Sequence, residues 1–275
     1  MEYSINIDYI AKTMSMEKAA RLVSQTGFTA LDYTPPVTKD NWEQLMYEHL
    51  DIFTRNNLHV HQTHAPFNRY NHHKDKHLLF CERALTATKE LNATYMVVHG
   101  DEFPFAQLEY TPERALTYNY DLFAPFVEKA VAWNIGIAFE NVFVDMTKPR
   151  FCSDVLELKA LIERYHTPMV SCCWDFGHAN LAFGKEQPEK MAQIAEYISC
   201  THIHDNYYGK DLHLPPFFGE INWEKCMEVF KDSHYQGNLN FEFGYAAIPE
   251  ILAEDYLKQF YKTGVLLKDM MTVQP

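Results

Sequence analysis

Eight short apolar runs punctuate the chain, and most are followed by a stretch whose apolar residues recur with a period near 3.6. The runs are YSINI, FTALDY, LHVHQTHAP, TYMVVHG, IGIAFENV, MVSCCWDFGH, ISCTHIHD and LNFEFG. Their length suits strands, whereas the segments between them read as amphipathic helices. In NWEQLMYEHLDIFTR, Trp42, Leu45, Met46, His49 and Phe53 share one face, and in SDVLELKALIERY so do Val155, Leu158, Leu161, Ile162 and Tyr165. Ser153 and Asp154 suit a helix start, and TPER (111–114) and QPEK (187–190) place proline in a first turn. Strand and helix alternating eight times predicts parallel strands with helical crossovers, and 275 residues is the size of a (β/α)8 TIM barrel. A doubly wound open sheet is the alternative. It more often carries a Gly-rich phosphate loop after the first strand, and none is present. No linker, low-complexity tract or charge block divides residues 1–275, which therefore read as a single α/β domain.

The polar positions add a second pattern. Runs three to eight deliver His64, His99, Glu140, Asp175 with His178, His202 and Glu242 at or just beyond their C-terminal ends. In a barrel those ends converge on the top face, where active sites lie. Singly, a glutamate there is more often a helix cap and a histidine more often a hydrogen-bonded structural residue. Six strand ends in agreement outweigh those readings. Carboxylates crowded on a barrel mouth repel one another and lose hydration, which calls for a cation. Imidazole and carboxylate without thiolate suit Mn, Zn, Co or Fe rather than a structural zinc site, so a divalent metal is the expected cofactor. After the seventh run, THIHDNYYGKDLHLPPFFGEINW carries Asp211 and His213 in a loop long enough to fold back over the mouth.

Composition narrows the classes. Lys plus Arg is 24 and Asp plus Glu 37, for a net charge of −13, which opposes a phosphate-backbone footprint, so no nucleic-acid partner is expected. No apolar run approaches the roughly 18 residues of a membrane span, and MEYSINIDYIAKT lacks the pattern of a signal peptide, so no membrane association and a cytoplasmic location are expected. The six cysteines are scattered, and the adjacent Cys172 and Cys173 read as strand packing. Glu90 and Glu157 read as solvated helix faces.

With FEN, WDFGH and HIHDNYYGKDLHLPPFFGEINW in view, the chain resembles the sugar phosphate isomerases/epimerases of the xylose isomerase-like TIM-barrel superfamily, which also contains endonuclease IV. The resemblance runs from HAPF to FEFG. It implies one divalent metal held by Glu140, Asp175, His202 and Glu242, with Glu140 and Glu242 as the acid/base pair and His178 on a substrate oxygen. The implied reaction is isomerisation or epimerisation of a small carbohydrate through a metal-stabilised enediolate. Ketose 3-epimerases have an arginine where this chain has Tyr208, and a second glutamate where it has Asp145 and Met146, which puts a free ketohexose in doubt. Phe67, Trp174, Tyr208 and Lys210 are candidates for the substrate pocket, with Phe176, Tyr207, Phe217 and Phe218 as further aromatics, and Lys210 is the only basic group expected near the mouth. The rival is an endonuclease IV-like phosphodiesterase, whose three zinc ions take nine ligands. His64, His99, Glu140, Asp175, His178, His202, Asp211, His213 and Glu242 match all nine in type, so His64, His99, His178, Asp211 and His213 are candidates for further metal or for substrate. A dehydratase or other lyase, and a noncatalytic sugar-binding subunit, are the remaining readings. Homo-oligomerisation is compatible with all of them.

Overall fold

The computed structural model describes residues 1–67, 74–207, 209–244 and 248–272. All eight apolar runs form strands: β1 (Tyr3–Asn6), β2 (Ala30–Tyr33), β3 (His59–His64), β4 (Tyr95–His99), β5 (Gly136–Glu140), β6 (Val170–Asp175), β7 (Ile198–His202) and β8 (Leu239–Phe241). They pair in parallel in the order β7-β6-β5-β4-β3-β2-β1-β8. Among the described residues one parallel bridge, Ile203 to Phe241, joins the two edges and turns the sheet into a nearly closed barrel. The helices are α1 (Ile7–Ala11), α2 (Met16–Gln25), α3 (Trp42–Arg55), α4 (Lys74–Glu90), α5 (Pro112–Ala132), α6 (Val155–Arg164), α7 (Phe176–Phe183), α8 (Gln187–Ala192), α9 (Trp223–Asp232) and α10 (Ala253–Thr272). The expected (β/α)8 architecture is the one observed.

Local chemistry explains where the helices begin. The Asp154 carboxylate accepts from Leu156 N and caps α6, while Thr111 caps α5 with Pro112 in its first turn. The apolar stripes face the barrel as their spacing predicts: α3 buries Trp42, Met46 and Phe53, and α6 buries Val155, Leu158, Leu161 and Ile162. Glu157 departs from the solvated reading. It is half-buried, it accepts a hydrogen bond from Cys152 N at 3.1 Å, and burial pushes its carboxyl up to about 7.

Period two along the strands decides which residues enter the barrel. Val97, Ala138, Cys173 and Cys200 form one small buried cluster inside it. Two residues further along the same strands stand His99, Glu140, Asp175 and His202. Each of these four strands thus lays a small neutral side chain as floor and an ionisable one above it. The thick apolar core lies outside the strands, against the helices, and includes Trp174, Phe139 and Ile203.

Candidate metal centre

Glu140, at the end of β5, is the hub. Its Oε2 lies 3.0 Å from His64 Nε2 and 3.2 Å from His99 Nε2, and its Oε1 lies 3.1 Å from His178 Nδ1 and 3.3 Å from His202 Nδ1. Burial works against its charge, but His202 and His99 around it hold the carboxyl well below its ordinary range. His202, fully buried at the end of β7, also reaches Glu242 Oε2 at 3.1 Å and Asp175 Oδ2 at 3.8 Å. Among the described residues neither of its ring nitrogens has a well-aligned hydrogen-bond partner.

Asp175 does two jobs. Its Oδ1 accepts from His178 N at 2.6 Å as the N-cap of α7, and Asn141 clamps its backbone, accepting from Asp175 N (2.7 Å) and donating to Asp175 O (2.9 Å). The Asn of FEN therefore locks β5 to β6. Behind the site, Asp32 Oδ2 accepts from Asn240 Nδ2 (3.0 Å) and Asn6 Nδ2 (3.3 Å) and faces His202 Nε2 at 3.3 Å. A carboxylate behind a histidine fixes its ring and leaves the other nitrogen for an ion.

The loop after β7 folds back as expected, and Asp205 and Asn206 are the reason. The Asp205 carboxylate accepts from Asn206 N, Ile221 N, Phe217 N and Trp223 Nε1 at 2.9–3.2 Å. Asn206 Oδ1 accepts from Leu212 N at 2.5 Å and His213 N at 3.3 Å. These bonds bring Asp211 and His213 to the mouth, 3.3 Å apart, with Asp211 3.8 Å from His178 Nε2. Against the effect of burial, Asp175 and Glu140 hold the His178 imidazolium up at about 10, and Asp211 and Glu242 hold that of His213 at about 9.

The groups fit a cation. The ligand atoms of Glu140, Asp175 and His202 lie within 4.8 Å of one another, as do those of His64, His99 and Glu140. The same criterion joins His204, His213 and Glu242, but that trio is unsuited. His204 and His213 are stacked, with centroids 4.1 Å apart and planes at 12°. An ion lies in the plane of each imidazole that binds it, and two stacked rings have no common plane. His204 serves Asp175 instead, 3.0 Å away through Nε2. Its ring fits because residue 177 is glycine: a Cβ there would lie 1.9 Å from His204 Cε1. The six cysteines are buried, and none belongs to these groups.

Above the centre is a cavity of about 280 Å3 lined by Tyr9, His64, Phe67, His99, Glu140, Phe143, Arg150, His178, Asp211, His213 and Glu242. A larger cavity, about 510 Å3, opens beside Glu163, His166 and Tyr197 at the opposite end, away from these ligand groups. Of the four residues expected to line the substrate pocket, Phe67 does so. Trp174 does not: it is 0% exposed and packs in the outer core. Strand parity is the reason, since Asp175 points into the barrel and its neighbour must point out. Lys210 is exposed and outside the lining, and Tyr208 lies outside the described residues. Phe176 is also core, against Trp223, while Tyr207, Phe217 and Phe218 are exposed away from the cavity. Among the described residues of the lining, the one arginine or lysine is Arg150, which sequence reasoning missed; its Nε donates to Asp101 Oδ2 at 2.7 Å and its guanidinium lies 4.6 Å from the Phe143 ring. Asp32, His204, Tyr9 and Phe143 were missed as well. Asp32 carried a signal, as an acid near the end of an apolar run, and so did His204, in the HIHD that closes the seventh run.

Comparison with known proteins agrees with the barrel fold. The family described as xylose isomerase-like TIM barrel matches residues 20–260. An uncharacterized protein, MJ1311, of Methanocaldococcus jannaschii is 30% identical over 191 residues, 65% of this chain and 62% of that protein. Another, y4fM of Sinorhizobium fredii, is 35% identical over 85 residues, 30% of this chain and 26% of that protein. The chain thus spans less than two thirds of either curated relative. Among solved structures, a D-tagatose 3-epimerase-like protein superposes with a TM-score of 0.79 at 22% identity, covering 99% of this chain and 100% of the other. A D-psicose 3-epimerase gives 0.78 at 11% identity, covering 97% and 99%. At these identities the likeness is one of fold. Among the described residues no helix is long and apolar enough to cross a membrane.

Proposed function

The chain belongs to the xylose isomerase-like TIM-barrel family, and from that premise we propose that it is a divalent-metal-dependent isomerase or epimerase of a small carbohydrate or carbohydrate derivative, acting in the cytoplasm. The observation that carries the reading is the placement of two carboxylates, Glu140 and Glu242, 3.3 and 3.1 Å from the same His202 nitrogen on the floor of a solvent-open cavity. The epimerases that share this fold act on sugars by name, which supports the substrate class. Glu140, Asp175, His202 and Glu242 would hold the ion, and Mn, Zn, Co or Fe suits that donor set. When bound, the cation supplies positive charge beside the substrate's carbonyl and hydroxyl oxygens and so favours an enediolate.

The protein's own groups supply the rest. Glu242 follows β8 and Glu140 ends β5, strands that lie on either side of β7, which carries His202. One carboxylate takes a proton from the carbon next to the carbonyl, and the other returns one from the far side, which inverts that carbon. Return at the neighbouring carbon gives isomerisation. His178, anchored by Nδ1 on Asn141 O at 3.0 Å, turns Nε2 toward the cavity and can donate to a substrate oxygen. Glu242→Gln keeps the size and removes the base. It is expected to abolish solvent-deuterium incorporation into any sugar that the protein turns over, with an unchanged circular-dichroism spectrum. Full exchange in that variant would refute the role.

One observation keeps a second reading in play. His178, Asp211 and His213 gather beside the main group, as a third ion of a phosphodiesterase would require. Elemental analysis of protein purified without chelator separates the two: about one ion per chain supports the isomerase, and close to three zinc ions supports phosphodiester cleavage.

A further inference from the structure

A second cavity adjoins the metal centre on the β1–β3 side of the mouth. It holds about 420 Å3, and it shares Tyr9, His64, Phe67 and Glu242 with the 280 Å3 cavity over the imidazoles. We propose that this side cleft binds the second unit of a glycoside, so that the substrate is a glycoside that keeps a carbonyl, as a keto group on its ring or at a free reducing end, rather than a free monosaccharide. The proposal rests on the sugar reading above and names its substrate class more closely.

Size is the first argument. Small-molecule sites run from about 300 to 1,000 Å3. The inner cavity alone, at about 280 Å3, falls just below that range, whereas the two joined fall well inside it. Position is the second. The common wall includes Glu242, a carboxylate assigned to proton transfer, so a substrate reacting there directs one substituent into each cavity. Wall chemistry is the third. Pro35, Pro36 and Pro66 give the cleft stiff apolar surfaces, and Phe67 stands between the cavities with 56% of its area exposed. Its ring is stacked on His99, centroids 4.3 Å apart and planes at 5°, so it is held in place although half of it meets solvent. Such rigid flat faces suit the C–H face of a pyranose or an aryl group. Polar groups at the edge complete the match: Lys12 Nζ sits 4.0 Å over the Tyr9 ring, and the Asp8 carboxylate, fixed by Thr34 N at 2.6 Å, is a hydroxyl acceptor. A monosaccharide confined over the imidazoles would leave these surfaces in water.

The test uses the full chain loaded with Mn(II). Affinities are measured by isothermal titration for D-glucose, phenyl β-D-glucoside and cellobiose, and for the matching galactose series. At least one glycoside is expected to bind tenfold or more tightly than its parent sugar. Gain with the disaccharide identifies a second sugar ring in the cleft, and gain with the phenyl glycoside alone identifies an aryl group. Thr38→Trp, at an exposed position on the cleft wall, should lower the glycoside-to-sugar affinity ratio at least fivefold; Thr34→Trp replaces it if the first variant does not fold. Parent sugars that bind as tightly as their glycosides, with a ratio unmoved by either variant, overturn the cleft assignment and leave the sugar reading standing. Absence of binding by every sugar and glycoside overturns both.

Discussion

Gly177 shows how much of the candidate metal centre depends on atoms that would never meet an ion. Only a residue without Cβ admits the His204 ring, and His204 in turn holds Asp175 and stacks on His213. Outer partners of metal ligands are worth roughly 10- to 100-fold in metal affinity. Gly177→Ala is therefore expected to weaken Mn(II) or Zn(II) binding at least tenfold, read by competition with a chelating dye. Unchanged affinity would mean that His204 has no hold on Asp175. A second expectation follows from charge. His178 and His213 sit at about 10 and about 9, above the ordinary 6.5, because carboxylates surround them. In the metal-free protein their contribution to stability is fully present below the unfolded value and is lost as pH rises through about 9 to 10. A cation competes with those imidazolium protons, so metal binding should release protons and tighten between about pH 6 and 8. Calorimetry in two buffers of different ionisation enthalpy reads the protons directly, and identical heats would contradict the assignment.

At the scale of an element, the loop after β7 is a small structure of its own, built around one buried carboxylate. Asp205 satisfies four donors, and Gly219 passes close enough that a Cβ there would lie 2.2 Å from its Oδ1. Asp205→Ala strands those donors at about 1–3 kcal/mol for each that stays buried, so a loss of roughly 3 kcal/mol or more in urea denaturation is expected, with earlier proteolysis between residues 206 and 220. The sequence carried this loop in its polar spacing but not its hub, since nothing in that spacing sets Asp205 apart from the other polar residues of the run. The strand-end residues were legible for a simple reason. Period two makes an ionisable residue two places beyond Val97, Ala138, Cys173 or Cys200 point the same way as they do. Trp174 was misplaced by ignoring that same rule. Arg150, Phe143 and Tyr9 were beyond such reasoning, because they approach from loops and a short helix whose paths depend on the packed barrel.

For the molecule as a whole, the barrel is sealed unevenly. Seven strand pairs share ladders of three to five residues, whereas among the described residues the β7 and β8 backbones meet through one bridge, with Ile203 N bonded to Asn240 O at 2.7 Å and Glu242 N to Ile203 O at 3.1 Å, helped by the Thr201 hydroxyl, which donates to Asn238 O and accepts from Asn240 N, both at 3.1 Å. His202 closes one side of that seam and Glu242 the other, so an ion held by both is a rivet across the thinnest part of the wall. The same ion would then serve two ends, chemistry above and hoop strength around the circumference. In metal-free protein the amides of Ile203 and Glu242 should exchange with deuterium earlier than those of β4 and β5. On loading with an ion at a hundred times its dissociation constant, which is worth about 2.7 kcal/mol, protection at those two amides should rise the most. Equal protection around the ring, with and without the ion, would show that the barrel holds itself shut and that the cation is there for the reaction alone.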